Sequence, residues 1–146
     1  MENKTQMKKL YDIARSSRTT DEFVSYIEYV SQRVSFSARD LANKIYKAAM
    51  TKYDATIHER VGAIKVNTDS VADQMYSVKA FARKYGVMSD YTFYLERLVS
   101  NGERFDITSA LNRLAETAIT MYDIRLRRKI DTATGITIIG GYKDAV

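Results

Sequence analysis

The densest cationic run in the chain is Arg125, Arg127, Arg128 and Lys129, four positive side chains within five consecutive positions. Guanidinium and ammonium groups in such a run suit the phosphate oxygens of a nucleic-acid backbone. The run also falls in the last turns of a long helical pattern, where the helix dipole favours cations without any ligand. A second candidate is the segment from Val78 to Leu98, which resembles a helix-turn-helix. Ala82 is small enough for two helices to approach, Gly86 makes the turn, Val87 anchors it and Leu95 packs the second helix. In that reading Arg83, Lys84 and Arg97 meet phosphates or bases. Two departures stand against it: the turn extends through Met88, one residue longer than the usual pattern, and the second helix carries Asp90 and Glu96 beside its single Arg97.

Other chemistries lack the residues they need. Cysteine is absent, which excludes disulfides, thiolate catalysis and cysteine-ligated metals. His58 is the single histidine and lies beside Glu59 without an HExxH spacing, so a helix surface is its expected place. The six glycines form neither GxxxxGK[ST] nor GxGxxG, the loops that cradle phosphates. Acidic residues are spread along helix faces without the ExxH pairs of a di-iron bundle. No catalytic residue, metal site or cofactor is therefore expected. The eleven tyrosines read mainly as packing bulk at the core boundary, although Tyr26, Tyr29 and Arg33 suit an exposed stacking flank.

These side chains must be positioned by helices. The 146 residues contain no proline, 45% are hydrophobic, and the length suits one domain. Met7, Leu10, Tyr11 and Ala14 form the stripe of a first helix. Thr19, Thr20, Asp21 and Glu22 have the form of a capping box for a second, with Phe23, Ile27, Val30 and Val34 inward. Ser37 caps a third that runs to about Ile64, either unbroken or broken near 51–56. Asn67, Thr68 and Asp69 form a turn and cap before the stripe Val71, Met75, Val78, Ala82 and Tyr85. Ser89 caps the next helix, which places Tyr91, Leu95 and Leu98 inward and stops at Gly102. Asp106 caps a last helix carrying Leu111, Leu114, Ala118, Leu126 and Ile130. The predicted fold is all-α, an antiparallel bundle of five or six helices over residues 1–131.

Residues 132–146 change character. Ile136, Thr137, Ile138 and Ile139 are β-prone, and Gly140 and Gly141 form a joint. A lone strand must satisfy its backbone elsewhere, on a loop of its own chain, another copy or another protein. Ile136, Ile138, Ile139 and Tyr142 are thus expected partner contacts, and the extension a docking arm.

The chain holds 23 basic and 18 acidic side chains, net +5. Residues 1–66 contribute 12 basic and 8 acidic, net +4, and residues 67–146 contribute 11 and 10, net +1. This balance permits attraction to DNA or RNA and is also what solubility alone selects. No stretch suits a membrane span or a signal-peptide core, so a cytoplasmic protein is expected. The expected function is a non-enzymatic, nucleic-acid-associated binding protein. The alternative is a structural or assembly subunit of a viral or other large complex (located then in the virion), or a small inhibitor docking on a partner protein.

Overall fold

The computed structural model describes residues 2–32, 35–66 and 70–144. They form six α-helices: α1 (Glu2–Ser16), α2 (Thr20–Gln32), α3 (Ala38–Val66), α4 (Val71–Lys84), α5 (Met88–Asn101) and α6 (Ile107–Thr134). A single 3-10 turn, Tyr142–Asp144, follows. The all-α expectation holds, and no strand occurs among the described residues. Val34, Arg33, Asn67, Thr68, Asp69 and residues 145–146 lie outside the described residues, so the expectations placed on them stand apart.

The chain divides into two compact units, Met1–Tyr53 with Tyr122–Val146, and Asp54–Met121. Both α3 and α6 contribute residues to each. The continuity of α3 follows from its stripe: Ala42, Tyr46, Ala49, Ile57 and Val61 recur at helical spacing and are all buried. At 1.5 Å per residue its 29 residues span about 43 Å. Nothing breaks it near 51–56.

In the first unit, α1 packs on α2. Leu10, Ile13 and Ala14 of α1 and Phe23 and Tyr26 of α2 are buried, while Tyr11 stays 39% exposed with its ring edge-on to Phe23. The α1–α2 corner is not a capping box. Thr19 is fully buried, its amide donates to Ala14 O at 2.7 Å and its hydroxyl turns back toward the same carbonyl. Glu22 instead pairs with Lys52 Nζ at 3.3 Å, and that ammonium also donates to Arg18 O at 2.7 Å. Tyr26 belongs to the core, not to an exposed flank. Its hydroxyl donates to Ser37 O at 3.1 Å and accepts from Ser37 N at 3.0 Å, which ties α2 to the start of α3. Tyr29 is the exposed one, at 57%. Ser37 caps α3 as expected, accepting from Asp40 N at 3.2 Å. Tyr53 of α3 stacks on Tyr122 of α6 with centroids 4.0 Å apart.

In the second unit, Ser70 caps α4 by accepting from Asp73 N at 3.1 Å. Asp106 caps α6, accepting from Thr108 N at 3.0 Å and from Ser109 Oγ at 2.9 Å. Gly102 ends α5 with a φ of 66°, a left-handed conformation that costs glycine little. Helix α6 continues to Thr134, three residues past the boundary expected at 131.

Candidate functional site

Helix α6 places Asp123 and Arg127 one turn apart, and α3 supplies Tyr46 beside them. The Tyr46 hydroxyl donates to Asp123 Oδ1 at 2.7 Å. Arg127 Nε donates to the same oxygen at 2.6 Å, and Nη2 donates to the Tyr46 hydroxyl oxygen at 2.7 Å. The guanidinium carbon lies 4.8 Å from the Tyr46 ring centroid. Two of the three remaining donors serve the extension: Nη1 reaches Ile138 O at 2.9 Å and Nη2 reaches Gly140 O at 2.5 Å. Arg39 adds a bond to Thr137 O at 3.4 Å. Desolvation by burial, followed by the Asp123 hydrogen bond and charge, pushes the Tyr46 hydroxyl up to about 12. Burial works against the charged Arg127, yet its hydrogen bond to Asp123 and the charges of Tyr46 and Asp123 raise its pKa on balance.

This cluster explains where the extension goes. Gly135 leaves α6 at a φ of 74°, its amide donating to Asp131 O at 2.7 Å. The chain then runs back over its own unit. The four residues expected to be strand-prone, 136–139, form no ladder; arginine side chains occupy the Thr137 and Ile138 carbonyls that a neighbouring strand would otherwise bond. Ile136 and Ile138 are buried at 7% and 5% exposure, Tyr142 is half-buried, and Ile139 is 79% exposed. Of the four expected partner contacts, two are thus already covered by their own unit. The carbonyls of Thr137, Ile138 and Gly140 and the amide of Ile136 find partners within their own chain, from helix side chains rather than from a loop or a neighbouring strand.

The expected cationic residues fall into separate places. Arg125, Arg128 and Lys129 are exposed on the last turns of α6. Arg127 does not join them as a free cation, because its donors are engaged by Asp123, Tyr46 and the two carbonyls. Arg125, Arg128 and Lys129 line a depression of about 440 Å³ together with Thr132 and Ala133. An adjoining depression of about 550 Å³ shares Thr132 and Ala133 and adds Lys9 and Gln6 from α1. No acidic residue lines either one. Lys129 Nζ donates to Ser16 Oγ at 2.6 Å, and Gln6 Nε2 donates to Thr134 O at 3.1 Å, so α1 and the end of α6 form one face.

Arg83, Lys84 and Arg97 belong to the other unit and are exposed there. The segment 78–98 does fold as two helices packed across a short turn. Gly86 takes a φ of 72°, the Val87 amide donates to Ala82 O at 2.8 Å, and Val87 is 1% exposed. The turn is residues 85–87. Met88 opens α5 rather than lengthening the turn, and Ser89 lies inside the helix without capping it, the cap position being Val87. Tyr91 and Leu98 are the buried residues of α5, and Leu95 is only half-buried. The Tyr91 hydroxyl donates to Met75 O at 3.2 Å, locking the two helices together. The outer face of α5 carries Phe93 at 52% and Val99 at 83% exposure with Glu96 and Arg97, not a row of cations.

Charge separates the units further. The first holds 15 basic against 9 acidic side chains, net +6, and the second 8 against 9, net −1. The sequence split at residue 66 hid this, because α3 and α6 each cross between units. The i, i+4 spacing of Asp123 and Arg127 was a readable signal. Nothing in the sequence pointed to Tyr46 as their partner, or to Arg39 as the second arginine on the extension.

His58 is exposed on α3, its Nε2 2.9 Å from Asp54 Oδ1 one turn earlier. No group of three or more His, Cys, Asp or Glu is placed to hold a metal among the described residues, and no helix there is long and apolar enough to cross a membrane. No protein-family model, no curated protein and no solved structure matches the chain.

Proposed function

We propose that this chain is a non-enzymatic binding protein whose first unit associates with the phosphate backbone of DNA or RNA. The observation that carries the reading is the pair of depressions lined by Lys9, Arg125, Arg128 and Lys129 and by no carboxylate, on a unit of net charge +6; Asp131 flanks Arg128 on its other side. Such a unit attracts a polyanion at long range, and the face supplies short-range contacts. Arg83, Lys84 and Arg97 take no part in this reading, since their unit is net −1 and gives a polyphosphate no long-range attraction.

Four phosphate contacts give a fall of log affinity with log salt of slope about −3 to −4. Fluorescence anisotropy with mixed-sequence duplex DNA and single-stranded RNA over a salt series measures it. Lys129→Ala and Arg128→Ala should each lower the slope by about 1 and weaken all sequences alike. No association at low salt, or a slope untouched by both substitutions, refutes the proposal.

A second reading, an assembly subunit that docks through its extension, is favoured by Ile139, a large apolar side chain 79% exposed on the β-prone segment. Light scattering on full-length protein and on Ile139→Ser tests it. A defined oligomer that Ile139→Ser dissociates supports it, and a monomer at all concentrations removes it.

A further inference from the structure

The second unit has its own groove, between the last turns of α3 and the outer face of α4. Arg60 and Ile64 line it from α3, and Tyr76, Ala80 and Lys84 line it from α4, around a space of about 280 Å³. Tyr76, Ala80 and Lys84 are spaced four apart, and Ala72 continues the same row, so one face of α4 presents small residues on either side of a ring. Tyr76 is 76% exposed, unusual for so large a side chain. The inward stripe of α4 is a different one, with Val78, Phe81 and Ala82 buried. No acidic residue lines the groove, and neither Arg60 nor Lys84 has a carboxylate partner among the described residues. Lys84 Nζ instead lies 5.6 Å from the Tyr85 ring centroid.

We propose that this groove docks an acidic amphipathic helix of a partner protein. Ala72 and Ala80 allow a helix backbone to approach, Tyr76 offers a broad contact at low conformational cost, and Arg60 and Lys84 receive carboxylates at the rim. Charge complementarity selects the occupant. Two locally unpaired cations over an apolar floor match a segment with a few carboxylates and an apolar stripe. A nucleic acid is a poorer match, because its phosphate backbone offers no apolar stripe for Ile64, Tyr76 and Ala80 and the groove supplies only two cations.

The test uses the full chain and a fluorescently labelled three-heptad helix of leucine and glutamate, with its leucine and lysine counterpart as control. Saturable binding of the acidic peptide alone is expected. Ala80→Glu adds bulk and a like charge at an exposed helical position, and should weaken binding at least tenfold with unchanged circular dichroism. Tyr76→Ala should weaken it about tenfold. Lys129→Glu should leave it unchanged. Four results overturn the proposal: no saturable binding of the acidic peptide; equal binding of the lysine peptide; loss in Lys129→Glu but not in Ala80→Glu, which places the peptide on the basic unit; or a self-association abolished by Ala80→Glu, which makes a second copy the occupant.

Discussion

Replacing Arg127 by methionine keeps most of the aliphatic stem and deletes the guanidinium that holds the extension. Four hydrogen bonds go with it, to Asp123, Tyr46, Ile138 O and Gly140 O. A hydrogen bond to a charged group contributes about 1.5–3 kcal/mol in mutational series. The full sum overstates the effect, because the Arg127 side chain is 31% exposed and water replaces it at the outer carbonyl and at the carboxylate. The contacts to the fully buried Tyr46 and to the carbonyl of buried Ile138 are the ones water cannot replace. Two such bonds place the loss at about 3–6 kcal/mol before relaxation and about 2–3 kcal/mol after it. Stability of this kind of domain is about 5–15 kcal/mol, so the chain should stay folded. The loss should concentrate in the extension, where Ile136 and Ile138 depend on the strap. Urea unfolding followed by circular dichroism gives the total, and native-state hydrogen exchange of the amides at 136–142 gives the local part. Truncation after Gly135 supplies the control. In the truncated chain, Arg127→Met should cost about 1 kcal/mol less than in the full chain, because the bonds to the carbonyls are already gone. An equal cost in both backgrounds, or exchange at 136–142 unchanged by the substitution, refutes the assignment of Arg127 as the strap.

Stability should also fall in alkali. The Tyr46 hydroxyl is raised from 10.0 to about 12 in the folded chain, so its contribution is complete below pH 10 and is lost as pH rises toward 12. A difference of this size corresponds to about 2–3 kcal/mol, and Tyr46→Phe should flatten this part of the pH–stability curve as measured by urea midpoints. Gly86→Ala forces a φ of 72° on a residue with a Cβ, although nothing lies within 4 Å of that atom. The cost should be the backbone strain alone, about 1–2 kcal/mol by thermal unfolding, with α4 and α5 retained in circular dichroism.

The sequence by itself determined the helices. The absence of proline, the apolar stripes and the caps at Ser37 and Asp106 are local features, and backbone hydrogen bonds within a helix are local too, so their reading required no knowledge of the fold. The unbroken α3 was within reach for the same reason, since its stripe never loses phase. The helical pair at 78–98 was legible from Gly86 and Val87, because a left-handed residue and an apolar anchor set that turn locally. What failed was any reading that depended on a distant partner. Glu22 answers Lys52 instead of closing a capping box, and Tyr26 bonds Ser37 instead of facing solvent. Arg127 was one cation in a run of four until the fold set it between Tyr46 and the carbonyls of the extension. The same run's other three members stay exposed, because on a helix 125, 128 and 129 share a side that 127 does not. Likewise residues 136–139 were expected to be β-prone, yet they form no strand; propensity describes a backbone seeking partners, and only tertiary structure decided that Arg39 and Arg127 would bond its carbonyls. The charge asymmetry was hidden for a related reason: two helices that each belong to both units make the spatial division of charge different from any division along the chain.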